Sequence, residues 1–183
     1  FDQPLPFSNT HPAASLIKIV TSAELLQNAN IHPETKFTFR GKSTTLYKYQ
    51  LRDKSSIYNR HLSFKKAFAL SNNVVFGKAA INNTTPMGIK SMAENFGFNE
   101  NIMADIKIRP SIFGTPENQY NLAEMASGFN KKTLMSTVHG AVLSSIVANN
   151  GNLVKPHVIK EIKPVAGGSS WEPGRKLEKR ISQ

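Results

Sequence analysis

Apolar residues recur at helical spacing from residue 15 onward. Leu16, Ile19, Val20, Ala23 and Leu26 share one face, which predicts a helix from Ser15 to about Asn28, ended by "NANIHPET". Ahead of it, Pro4, Pro6 and Pro12 disfavour helix, so residues 1–14 read as an irregular lead-in. "KFTF" (36–39) and "TTLYKYQL" (44–51), on either side of Gly41, predict short strands, and "RDKSSIYNR" (52–60) a loop. "SFKKAFAL" (63–70) predicts a short helix, with Ser63 as N-cap and Phe64 and Phe68 on one face.

After a break at "SNN", residues 72–81 predict another helix. A further one opens at Thr85-Pro86, runs to about Phe96 and is ended by Gly97. Residues 98–118 read mostly as loop, broken by Pro110, Gly114 and Pro116. Beyond "LAEMASGF", Val138, Val142, Leu143, Ile146 and Val147 mark a helix over 136–149, which "NNG" closes with a left-handed glycine cap. "HVIKEI" (157–162) alternates like a strand, residues 164–174 are a turn-rich connector, and "KLEKRI" (176–181) predicts a terminal strand. Helices in the middle with strand signals before and after give a mixed α/β (α+β) class. The expected fold is one domain over 1–183, a helical cluster on an antiparallel sheet whose strands are only partly present.

Composition narrows the function classes. Of 183 residues, 39% are hydrophobic and 19% charged, which suits one globular core. The net charge of +11 favours anionic surroundings. The basic residues are scattered, and "GRKLEKR" is interrupted by Glu178, so an anionic cell envelope ranks above nucleic acid as the partner. The chain has no cysteine, which excludes thiolate metal sites, cysteine nucleophiles and disulfides, and is compatible with an extracytoplasmic location. No run approaches membrane-spanning length, so any export or anchor segment is expected to lie outside this chain. The five histidines are scattered without metal-ligand spacing, and neither metal nor cofactor is expected.

Two S-x-x-K strings occur. Ser63–Lys66 has adjacent lysines, as in an exposed first helical turn, whereas Lys18 sits within "SLIKIV", hemmed by Leu16, Ile17, Ile19 and Val20. Burial disfavours an ammonium and favours the neutral amine, which can accept a proton from a hydroxyl one turn away. Ser15 would then be an activated nucleophile, its alkoxide eased by the positive end of the helix.

"AASLIKIVTSAELL" resembles the active-site helix of penicillin-binding protein transpeptidases and serine β-lactamases, and "FALSNNVVFGKAA" supplies that family's S-x-N element as Ser71-Asn72-Asn73. "ASGFNKKTLMSTVHGAVLSSIVANNGNLVKPHVIKEI" resembles the late helix, "AN-G" turn and "KPH" strand of these transpeptidases, so the likeness covers about residues 11–163. The resemblance implies that Ser15 forms an acyl-enzyme and that Lys18 is its base. Ser71 would relay a proton to the leaving amine, and Asn73 would contact the substrate amide and orient the lysine. It further implies peptidoglycan stem peptides as substrates, β-lactams as covalent inhibitors, cell-wall synthesis or division proteins as partners, and a membrane anchor elsewhere in the protein.

The third family motif, K-T-G, is absent. Lys132-Thr133-Leu134 carries leucine where glycine is needed, precedes the late helix, and reads as a solvated loop. The expectation is therefore a chain trimmed before the K-T-G strand and weak as a catalyst by itself. Two other outcomes remain open at this point. One is a D,D-carboxypeptidase or serine β-lactamase on the same scaffold, although no glutamate is placed to activate water. The other is a non-catalytic envelope-binding domain.

Overall fold

The structure, a computed structural model, describes residues 4–102, 104–165, 167–174 and 177–182. Residues 1–3 of the lead-in, Ala166 of the connector and Lys176 of the expected terminal strand lie outside the described residues.

Along the chain run β1 (His11–Pro12), α1 (Ile17–Asn28), β2 (Lys36–Phe39), α2 (Lys48–Leu51), β3 (Arg60–Ser63), α3 (Phe64–Ala69), α4 (Asn73–Asn83) and α5 (Pro86–Asn95). They are followed by α6 (Gln119–Ser127), β4 (Leu134–Met135), α7 (Thr137–Ala148), β5 (Asn152–Val154) and β6 (Leu177–Lys179). The strands form three antiparallel ribbons, β1 with β4, β2 with β3 and β5 with β6. The class is as expected: helices clustered against antiparallel strands that here form only ribbons.

The helices gather around two apolar clusters. Ile17 and Val20 of α1 meet Ile89, Phe96, Phe98, Phe113, Leu122, Leu143 and Ile146 in the larger one. Leu25, Phe39, Phe64, Val75 and Phe76 form the second, where the Phe64 and Phe76 rings lie 5.1 Å apart. Fully burying side chains of this size contributes roughly 1.5–3 kcal/mol each. N-caps place the helix starts where the sequence predicts them. Ser63 accepts from Lys66 N, Thr85 from Gly88 N, and Ser136 from His139 N, while Asn72 caps α4 through Val75 N.

Five segments depart from expectation, each because tertiary partners override local pattern. Residues 44–51 are not a strand but a loop leading into α2. Buried Gln50 turns back to accept from Tyr47 N at 2.8 Å and donates to the carbonyls of Arg40 and Lys42. The second strand of that ribbon is instead β3, in register Lys36 to Ser63. α6 carries no sequence-level assignment, yet Asn118 caps its start and Gly128, at φ +74°, its end. Thr133 is buried and Leu134 belongs to β4, so of the expected solvated loop Lys132–Leu134 only Lys132 is exposed. Residues 157–162 form no strand, because the Asp105 carboxylate accepts the N–H groups of Val158 and Ile159. Only a single Ile162–Trp171 bridge remains there.

The terminal strand does form, as β6, and Gly151 adopts the left-handed conformation expected of a cap. His139, whose surroundings the sequence leaves open, is buried, with Ser111 Oγ 2.5 Å from Nδ1 and the Phe96 carbonyl 2.8 Å from Nε2. A carbonyl can only accept, so Nε2 carries the proton and Nδ1 accepts from Ser111. Burial lowers its pKa and favours that neutral form.

Candidate active site

Lys18 is only 2% exposed, an unusual place for a lysine. Its neighbours explain how it is accommodated. Nζ lies 3.0 Å from Ser15 Oγ, 2.8 Å from Asn73 Oδ1 and 2.6 Å from the Ser127 carbonyl. Ser71 Oγ in turn donates to Ser15 Oγ at 2.9 Å. The four residues singled out in the sequence, Ser15, Lys18, Ser71 and Asn73, thus converge on one point. Ser127 joins them through its backbone, which no side-chain pattern could have revealed.

Three elements carry this cluster. Ser15 sits in a 3₁₀ turn (Ala14–Leu16) that leads directly into α1, and it is exposed while Lys18, one turn on, is buried. Asn73 opens α4 and Ser127 closes α6. These helices approach closely at Gly77, where an added Cβ would lie 3.0 Å from the Ala123 methyl. Asn73 is one turn before Gly77 and Ser127 one turn after Ala123, so the helices run antiparallel and their ends meet at Lys18. Ser71, in the left-handed region at φ +50°, turns the chain between α3 and α4 and aims its hydroxyl at Ser15. Gly128 has no substitute, because a Cβ there would lie 1.9 Å from the Ala14 carbonyl oxygen.

The donor and acceptor chemistry fixes where protons sit. Asn73 Nδ2 donates to the Thr44 carbonyl at 3.0 Å, so Oδ1 must face Lys18. Asn73 Oδ1 and the Ser127 carbonyl can only accept. An ammonium satisfies all three neighbours. A neutral amine gives its two N–H groups to those two oxygens, leaving its lone pair toward Ser15 Oγ. Burial pulls the Lys18 pKa from 10.5 to about 8, so the neutral form is accessible near physiological pH. A proton can therefore move from Ser15 to Lys18, and the Ser71 hydroxyl stands on the other side of the same oxygen.

Nothing comparable surrounds the second S-x-x-K string, where Ser63 Oγ accepts from Lys66 N as an ordinary helix cap. Among the described residues no group of three or more His, Asp or Glu side chains is placed to hold a metal ion. No helix among them is long and apolar enough to cross a membrane.

Comparison with known proteins identifies the family. The family model for the penicillin binding protein transpeptidase domain matches residues 3–183. The chain is similar to penicillin-binding protein 3 of Bacillus subtilis (strain 168), at 24% identity over 163 residues, 85% of this chain and 24% of that protein. It therefore spans about a quarter of that relative's length. Penicillin-binding protein A from M. tuberculosis, solved as a penicillin G acyl-enzyme complex, superposes with a TM-score of 0.79 at 20% identity, over 98% of this chain and 42% of that one. The D,D-transpeptidase domain of a peptidoglycan glycosyltransferase from Eggerthella lenta gives 0.75 at 20% identity, over 95% and 46%. With the family matched across nearly all of its length and the fold shared with solved transpeptidase domains, this chain belongs to the penicillin-binding protein transpeptidase family.

Proposed function

We propose that the chain carries the nucleophile and proton relay of a peptidoglycan D,D-transpeptidase. The observation that carries this reading is the contact of buried Lys18 Nζ with Ser15 Oγ, with two pure acceptors occupying its other hydrogen-bond positions. Ser15 Oγ adds to the carbonyl carbon of the penultimate D-alanine of a stem peptide, and its proton passes to Lys18 Nζ. The amide C–N bond breaks, an ester forms at Ser15, and the departing D-alanine nitrogen takes a proton through Ser71 Oγ. An amine from a neighbouring strand then attacks the ester, and the same groups run in reverse to free Ser15. A β-lactam carbonyl enters by the first step and remains as the ester.

Among the described residues the hydrogen bonds of Ser15, Lys18 and Ser71 go to one another, to Asn73 and to backbone, and none goes to a carboxylate that could activate water. This supports transfer to an amine over hydrolysis. The charge of +11 supports a site of action at an anionic, extracytoplasmic envelope.

The sequence contains no K-T-G string. One oxyanion-hole donor is worth about 3–4 kcal/mol in acyl transfer, so acylation by these 183 residues alone should be slowed roughly 10²- to 10³-fold. Intact-protein mass spectrometry after incubation with penicillin G tests both points. A slow, single adduct that Ser15→Ala eliminates is the expected result. An adduct that survives Ser15→Ala, or no adduct at saturating penicillin, overturns the nucleophile assignment, and rapid stoichiometric labelling overturns the slow rate.

A further inference from the structure

Beside the catalytic cluster lies an open groove of about 670 Å³ between residues 41–44 and residues 57–60. One wall is continuous with the site. The Ser43 carbonyl accepts from Asn73 N at 2.8 Å and the Thr44 carbonyl from Asn73 Nδ2, so residues of the groove directly hold the asparagine that faces Lys18.

That wall is rigid by construction. Gln50, 1% exposed, donates to the carbonyls of Arg40 and Lys42, and its Oε1 accepts from Thr45 Oγ1 and Tyr47 N. Gly41, at φ +75°, passes so close that a Cβ would lie 2.8 Å from Gln50 Nε2. The opposite wall presents Ile57 and Tyr58, 91% and 76% exposed.

The charge around this groove is one-sided. Residues 40–60 contain Arg40, Lys42, Lys48, Arg52, Lys54 and Arg60 against a single acid, Asp53, which pairs with buried Lys78. Arg60 is held by the Gly41 carbonyl and the Phe39 ring, and Arg40 by the Tyr49 carbonyl. The Lys42 ammonium, at the groove, has no side-chain partner among the described residues. A rigid wall, an uncommitted cation and exposed apolar side chains are features that suit a ligand with carboxylates and small apolar groups.

We propose that this groove binds a free carboxylate pendant from a peptide strand entering the active site from the Asn73 side. Lys42 supplies the charge contact, while Ile57 and Tyr58 cover the peptide's methyl groups. The inference rests on the acyl-transfer reading for the peptide's identity, and adds which part of the substrate is recognised outside the reacting bond.

The test is a thermodynamic cycle by NMR titration of ¹⁵N-labelled Ser15→Ala protein, which cannot be acylated at residue 15. The probes are a synthetic pentapeptide with a γ-linked D-glutamate ending in D-alanyl-D-alanine, and the same peptide with the glutamate carboxyl amidated. The expected result is amide shifts at residues 41–44 and 57–60, and about fivefold weaker binding on amidation, an effect absent in Lys42→Gln. An equal amidation effect with and without Lys42, shifts confined to other surfaces, or no binding at tens of millimolar peptide would overturn it. Penicillin labelling of the Ser15 protein separates the two claims. Labelling without Lys42 coupling sinks the groove alone, and Lys42 coupling without labelling sinks the acyl-enzyme reading alone.

Discussion

Replacing Lys18 with methionine keeps most of the length of the side chain and removes its titration. In the folded chain burial lowers the Lys18 pKa to about 8, against 10.5 when the chain is unfolded. Between those values the unfolded state holds the proton and the folded state has released it. The unfolded state therefore binds more protons, and stability rises with pH across the window. Below pH 8 both forms are protonated, and the full cost of the buried ammonium, about 3 kcal/mol, is present. From pH 7 to pH 9 the wild type should gain about 1.3 kcal/mol from this group, and from pH 7 to pH 10 about 2.5 kcal/mol. Lys18→Met should lack that gain. Urea unfolding followed by far-ultraviolet circular dichroism at pH 7, 9 and 10 measures it. The difference between the two proteins cancels the other titrating lysines and tyrosines. The pH-independent cost of leaving Asn73 Oδ1 and the Ser127 carbonyl without a donor falls only on the variant, and it drops out when each protein's change with pH is taken. Parallel stability–pH curves for the two proteins would refute the claim that Lys18 is held in an environment that favours its neutral form.

Other perturbations read other parts of the site. The rate of Ser15 acylation should rise about tenfold from pH 7 to pH 9, following the neutral fraction of Lys18, and a flat stopped-flow profile would contradict a lysine base. Ser71→Ala, at a partly exposed position, should change unfolding free energy by less than about 0.5 kcal/mol, yet slow penicillin acylation about 10²-fold or more. Gly128→Ala should cost more than about 2 kcal/mol in urea unfolding, because its Cβ would collide with the Ala14 carbonyl at a left-handed backbone position. His139→Ala should cost about 2–4 kcal/mol by the same assay, since it opens a cavity and strands Ser111 Oγ and the Phe96 carbonyl. The wild type should also lose stability as pH falls from 6.5 through the lowered His139 value, a loss that the His139→Gln variant lacks.

Much of this site is legible from local pattern because its chemistry is local. Ser15 and Lys18 are one helical turn apart, so their contact follows from helix geometry once residues 15–28 are read as helical. The apolar neighbours of Lys18 announce its burial, and Ser63, Thr85 and Ser136 mark helix starts through oxygens that accept N–H groups within the same turn. The failures share the opposite property. Residues 44–51 look like a strand by alternation, yet Gln50 gains more by satisfying four backbone and hydroxyl groups in a buried turn. Residues 157–162 lose their strand to a carboxylate more than fifty positions away in sequence, Asp105.

The sequence by itself determined the family, the helical core and the pairing of Ser15 with Lys18, because each depends on residue types at short, regular spacing. Only the tertiary structure decided how α4 and α6 bring Asn73 Oδ1 and the Ser127 carbonyl to the same nitrogen. It also decided which way the Asn73 amide faces, and that a cationic groove adjoins it. The physical reason is that a hydrogen bond's direction is set by every other partner of its donor and acceptor, and at Lys18 those partners come from three separate helices or their ends.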